Sequence, residues 1–133
     1  MGMMSPFLSE QIERFGEISE SDRWRTEPAD AERARDIAEL AATAIFLLDR
    51  LETAAAREQP ARPAWDVAAA RRFAPLFCDW YAHASTVLKL IKESHSRGQA
   101  VEGASEFIHR FNAAKLLAVD MDHTVARVRV MTV

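Results

Sequence analysis

The sequence predicts an all-α fold, and three observations support this prediction. Only four glycines and five prolines interrupt the 133 residues. The stretches between them are rich in alanine, leucine, glutamate and arginine, which are strong helix formers. Over three long stretches, apolar residues recur at alternating steps of three and four, the spacing of one helix face. We therefore expect an antiparallel bundle of three long helices and a short N-terminal amphipathic helix, completed by oligomerisation.

Length and composition fit one domain, 1–133, with an N-terminal arm at 1–25 and the bundle at 26–130. The net charge of -3 gives no electrostatic reason to expect a nucleic acid or a membrane surface as partner. Cys78 is the one cysteine, which excludes an internal disulfide and favours the cytoplasm. No basic-then-apolar targeting stretch and no apolar run of membrane-spanning length is present.

The first long helix is predicted to start near Thr26, the expected N-cap, with Pro28 in its first turn. The apolar residues that recur along one face of this helix form its seam, which should face the core. Additional apolar residues flank the seam, so we expect the helix to pack against at least two neighbours. The seam consists of Ala34, Ile37, Ala41, Ala44, Leu48, Leu51 and Ala55.

Two prolines within Glu58 to Ala64 predict a turn, after which the chain should run antiparallel to the first long helix. A proline in a helix interior costs about 3 kcal/mol, so Pro75 predicts a break in the second helical region. We expect a short helix from Trp65 to Phe73 and a long one from Pro75 to Gly98. The seam of this region consists of Phe73, Phe77, Trp80, Ala84, Val87 and Ile91.

The third long helix is predicted to begin near Gly103 and to have the most regular seam in the chain. A short N-terminal helix is expected to bury Phe7, Leu8, Ile12 and Phe15, and it must dock on the bundle or on a neighbouring subunit to be stable. The third seam consists of Ala104, Phe107, Phe111, Ala114, Ala118, Met121, Val125 and Val128.

Two carboxylate and histidine pairs on the third helix raise the question of a metal. Di-iron bundles use such pairs three residues apart, converging from several helices. Here both pairs share one helix, and the phase of its seam places them away from the core. They are therefore only weak metal candidates, and we expect no metal and no cofactor. The pairs are Glu106 with His109 and Asp120 with His123.

Asp79 and His83 lie four residues apart, which allows a hydrogen-bonded pair on one helix face. We interpret His83 as a partly buried histidine held by Asp79, with a metal ligand or general base as the weaker alternative. No glycine-rich phosphate loop, nucleophile elbow or zinc-type cysteine spacing is present. The sequence therefore identifies no catalytic residue, and an enzyme is not favoured.

Two hypotheses for the function follow. The first is a non-catalytic helical module that self-associates and binds a protein partner. The alternative is a small metal-dependent or ligand-binding bundle that uses the histidine and carboxylate pairs. For self-association we expect a two-fold dimer around Leu116 and Ala113, because Glu106, His109, Asp120 and His123 are arranged symmetrically about them.

Overall fold

The computed structural model describes residues 4–26, 28, 30–58 and 66–131, with side chains from 7 to 127 within these ranges. In the described residues the chain forms five helices and no strand, which confirms the all-α prediction. The four longer helices pack together, and α4 lies against each of the other three. In this part of the chain, no helix is both long and apolar enough to cross a membrane. The helices are α1 (Met4–Ser19), α2 (Arg23–Thr26), α3 (Ala31–Glu58), α4 (Val67–Ser96) and α5 (Ala104–Met131).

Helix α3 begins later than the sequence predicts. The Asp30 carboxylate accepts a hydrogen bond from the backbone N–H of Arg33 at 2.8 Å, so Asp30 caps the helix. The prediction of Thr26 as N-cap is wrong, because the short helix α2 intervenes and ends at Thr26. The predicted seam of α3 is confirmed, since all seven of its residues, from Ala34 to Ala55, are buried.

Helix α4 is continuous through Pro75, so the predicted break is wrong. Phe73 before the proline and Phe77 after it are both fully buried on the same face, while Pro75 itself is exposed. A break would pull one of these aromatic rings out of the core, and their burial offsets the cost of the proline. Asp66 caps α4 by accepting from the N–H of Ala69 at 3.2 Å. The predicted start at Trp65 lies outside the described residues.

Helix α1 packs against α3 and α4 of the same chain. Leu8, Ile12 and Phe15 are buried as predicted. The prediction for Phe7 is wrong, because this ring is 48% exposed. Phe7 precedes Leu8 by one residue and so lies about 100° around the helix from it, outside the sector that faces α3 and α4.

A buried tryptophan joins α4 to α3. The indole Nε1 of Trp80 donates a hydrogen bond to the carbonyl oxygen of Ala44 at 2.8 Å, and both residues are fully buried. The bond satisfies the one polar atom of the indole inside the core. The bond fixes the position of α4 relative to α3, and α4 in turn packs against α5.

Candidate functional site

The rotation of α5 about its axis is set by aromatic contacts with α4. Phe111 stacks on Tyr81 with ring centroids 4.6 Å apart, and its ring centroid also lies 6.5 Å from that of Trp80. The predicted seam is buried from Ala104 to Met121, and Val125 is partly buried. The prediction for Val128 falls outside the described side chains. This face of α5 packs in the core, so the opposite face points away from the bundle.

The polar residues of that opposite face are exposed in the orientation that the sequence predicts. Glu106, His109, Asp120 and His123 are all exposed. Within the described part of the chain, none of these four side chains forms a hydrogen bond or an ion pair with another residue. Their ligating and hydrogen-bonding capacity is therefore not used inside the chain.

The centre of this outward face is apolar. Leu116 is 69% exposed and Ala113 is also exposed, while Val119 on the flank is 42% exposed. Burying a leucine side chain is worth roughly 1.5–3 kcal/mol, and the folded chain forgoes most of this at Leu116. An apolar centre with a polar rim is typical of a protein interaction site. We call Glu106, His109, Ala113, Leu116, Asp120 and His123 together the α5 face.

A single copy of the chain does not bring the weak metal candidates together. In the described residues, no group of three or more histidine, cysteine, aspartate or glutamate side chains is arranged to hold a metal ion. His109 and Asp120 belong to one helix, and at 1.5 Å per residue they lie about 16 Å apart along its axis. The two pairs of the α5 face therefore act separately within one chain.

His83 packs against α1 rather than pairing with Asp79. Its Nδ1 lies 3.7 Å from the Glu20 carboxylate, and its ring meets Phe15 edge-on with centroids 6.2 Å apart. The Nδ1 atom is buried without a hydrogen-bond partner, and Asp79 is exposed. The predicted Asp79 contact is wrong, because α1 covers the imidazole and Glu20 is its charged neighbour. Gly16, inside an otherwise amphipathic helix, was the available sequence signal for this close approach.

One arginine fastens α5 to α3 beside the α5 face. The guanidinium of Arg110 donates hydrogen bonds to Asp49 and, at 3.2 Å, to Glu52. The bond to Asp49 is the main reason that the pKa of Arg110 is raised, and the bond to Glu52 adds to it. These contacts hold the register of α5 along α3. Sequence reasoning missed them, because the partners are about sixty positions away in the chain.

Cys78 is exposed, but its surroundings suppress its reactivity. Partial burial is the main cause that raises the pKa of its thiol, and the nearby carboxylates of Asp122 and Asp79 raise it further. A raised pKa leaves less of the nucleophilic thiolate at neutral pH. The environment of Cys78 is therefore the opposite of what an activated catalytic cysteine requires.

A second apolar surface lies on α1 and α3. Phe46 is 55% exposed, and the Arg50 guanidinium lies over both rings, 5.5 Å from the centroid of Phe46 and 5.7 Å from that of Phe7. A groove of about 360 Å³ runs from Phe46 along α3 to Arg57. We call Phe7, Phe46 and Arg50 the aromatic patch. Phe46 is absent from the seam predicted for α3, and Phe7 was predicted to be buried.

No protein-family model, curated protein or solved structure matches the chain.

Proposed function

We propose that the protein is a non-catalytic helical interaction module that forms a two-fold dimer through the α5 face and binds a protein partner through the aromatic patch. One observation carries the proposal: Leu116 is 69% exposed at the centre of the α5 face, whose polar residues are placed symmetrically about it in the sequence. A two-fold interface uses the same surface on both subunits, so it requires such a face.

The self-complementarity follows from the positions of the polar residues. Glu106 and His123 are equally distant in sequence from a point between Ala114 and Lys115, and so are His109 and Asp120. When two α5 helices cross antiparallel about that point, each carboxylate lies opposite a histidine of the second copy. The leucines meet near the axis, where both are removed from water. Polar matching at the rim gives the interface its register.

The arrangement of the long helices supports this use of α5. The connection between α4 and α5 spans only 97–103, which favours two helices lying side by side in opposite directions. We propose the same antiparallel relation for α3 and α4, so that α5 stands at one side of the bundle. The lone cysteine supports a cytoplasmic location for this module.

The aromatic patch suits a partner with an acidic amphipathic segment. Phe7 and Phe46 offer two half-exposed rings to an apolar side chain, and Arg50 lies over both rings. Arg57, in the same groove, adds a second positive charge for a partner carboxylate. Helical segments of this kind dock by placing apolar residues in a groove and charges at its edge. The patch lies on α1 and α3, whereas the proposed dimer contact lies on α5.

The test is the oligomeric state of the untagged chain in EDTA, measured by light scattering coupled to size exclusion. We expect a dimer for the parent and a monomer for Leu116→Glu, because two buried carboxylates would face each other near the axis. Ala42→Glu places the same charge at an exposed alanine of α3 and should leave the dimer intact. A monomeric parent, or a dimer that tolerates Leu116→Glu, contradicts the proposal.

A further inference from the structure

We infer that the dimer builds two identical zinc sites, each formed by Glu106 and His109 of one copy with Asp120 and His123 of the other. The inference rests on the two-fold dimer proposed above. A single chain leaves the four polar side chains of the α5 face exposed and in two separate pairs.

The spacing within each pair suits one ion. Residues three apart on a helix are neighbours on its surface, so Glu106 and His109 can reach a common point, as can Asp120 and His123. The antiparallel crossing brings one pair of each copy to the same height along the interface. Each end of the dimer then contains two imidazoles and two carboxylates, and the two-fold axis makes both ends equal.

Charge balance favours a divalent cation between these pairs. Each end of the interface gathers two carboxylates, which carry a formal charge of about −2. A divalent ion between the two pairs neutralises these carboxylates and also links the two chains. The metal therefore strengthens the association.

The donor set favours zinc over magnesium and calcium. Zinc binds imidazole nitrogens and carboxylate oxygens, as well as thiolates, in four-coordinate tetrahedral sites, with nitrogen and oxygen ligands at about 2.0–2.2 Å. Magnesium and calcium require oxygen ligands only and larger coordination numbers. Two imidazoles in each site therefore disfavour magnesium and calcium.

The other two histidines have structural roles in the fold. His83 packs beneath Gly16 and against Phe15, and the Nε2 atom of His95 accepts a hydrogen bond from the backbone N–H of Val101 at 3.2 Å. His109 and His123 make no such bond in the described residues. The histidines that remain available as ligands are therefore the two on the α5 face.

The experiment is sedimentation velocity of the untagged chain over a concentration series, in EDTA and with added zinc chloride, together with calorimetric titration of zinc. We expect zinc to tighten the dimer roughly tenfold or more by mass action, with one ion bound per chain. His109→Ala and His123→Ala should each remove the zinc response, and both should still dimerise in EDTA through Leu116. His95→Ala is the matched control and should keep the zinc response.

The possible negative results distinguish failure of the zinc sites from failure of the dimer. A dimer in EDTA that ignores zinc overturns the zinc sites and leaves the proposed dimer standing. A chain that stays monomeric in both conditions overturns both. A zinc response retained by His109→Ala or His123→Ala, or zinc-induced particles larger than a dimer, overturns the assignment of these four ligands.

Discussion

Gly16 of α1 lies directly against the imidazole of His83 in α4: a Cβ atom added at Gly16 would lie 2.4 Å from Cε1 of the histidine. Real Cβ atoms do not come this close to another heavy atom, so a side chain at position 16 requires the imidazole or α1 to shift. The contact covers the imidazole and places the Glu20 carboxylate 3.7 Å from Nδ1. Gly16 and His83 are therefore a point of close approach between the two helices.

Gly16→Ala should therefore destabilise the protein, although alanine is the better helix former. The added methyl group forces α1 or the imidazole to move, and such overpacking typically costs about 1–3 kcal/mol. The decisive comparison is the same substitution in a His83→Ala background, where the space is free. There it should stabilise the protein by about 0.5–1 kcal/mol, the usual difference between glycine and alanine in a helix.

Urea unfolding followed by circular dichroism measures both effects as shifts of the midpoint. A change of sign between the two backgrounds is the expected signature, because residues in contact are not additive. If Gly16→Ala has the same effect with and without His83, then the clash does not limit the approach of α1.

The continuity of α4 predicts that Pro75 lowers stability. Pro75→Ala restores an N–H that can donate to the carbonyl of Arg71, and it removes the steric conflict with that turn. We expect a net gain of about 1–2 kcal/mol, since the more flexible unfolded chain offsets part of the benefit. Pro28→Ala is the control, because Pro28 lies outside the helices, and it should give no gain. A Pro75→Ala variant that melts at or below the parent temperature contradicts this account.

The sequence predicted helix type, core face and orientation where one helix alone determines them. Leu48 and Phe107 are buried and Leu116 is exposed as expected, because three-four periodicity fixes which side of a helix faces inward. The sequence-based prediction failed where the packing of two helices decides whether a side chain is buried. Phe7 is exposed and the ring of His83 is covered by α1, and both depend on where α1 docks. Local propensity also failed at Pro75, where tertiary burial outweighs the cost of the proline.

The raised pKa of Cys78 predicts that its thiol is alkylated slowly at neutral pH. A group with a raised pKa ionises only at higher pH, so the rate of alkylation by iodoacetamide should be low near pH 7 and should still be rising at the pH where the rate of an ordinary thiol levels off. Asp122→Asn removes one carboxylate that raises this pKa, and it should accelerate alkylation near pH 7 roughly two- to fivefold.

Asp120→Asn is the matched control for Cys78, since it removes a similar charge from the opposite face of α5 and should leave the rate unchanged. Mass spectrometry of timed samples across the pH series gives both rates. Equal rates for the parent and Asp122→Asn over the whole series would show that Asp122 does not act on the thiol.

Arg33 is the one charged residue that the structure buries among those it describes, with 2% of its surface exposed. Its guanidinium donates to the carbonyl of Trp24 at 2.8 Å and lies 3.6 Å from the Glu93 carboxylate. Its Nε and second terminal nitrogen are buried without hydrogen-bond partners. Glu93 therefore supplies the opposite charge that a buried guanidinium requires.

Glu93→Gln should lower the free energy of unfolding by about 1–3 kcal/mol, because it leaves the Arg33 charge buried and unpaired. In an Arg33→Met background the same substitution should cost less than about 0.5 kcal/mol, since no buried charge remains to be compensated. Arg97→Gln, which removes the exposed partner of Glu93 at 3.2 Å, is the control and should also cost less than about 0.5 kcal/mol. Chemical denaturation of the four variants measures these differences. An equal cost of Glu93→Gln in both backgrounds would mean that Glu93 stabilises the fold through some contact other than Arg33.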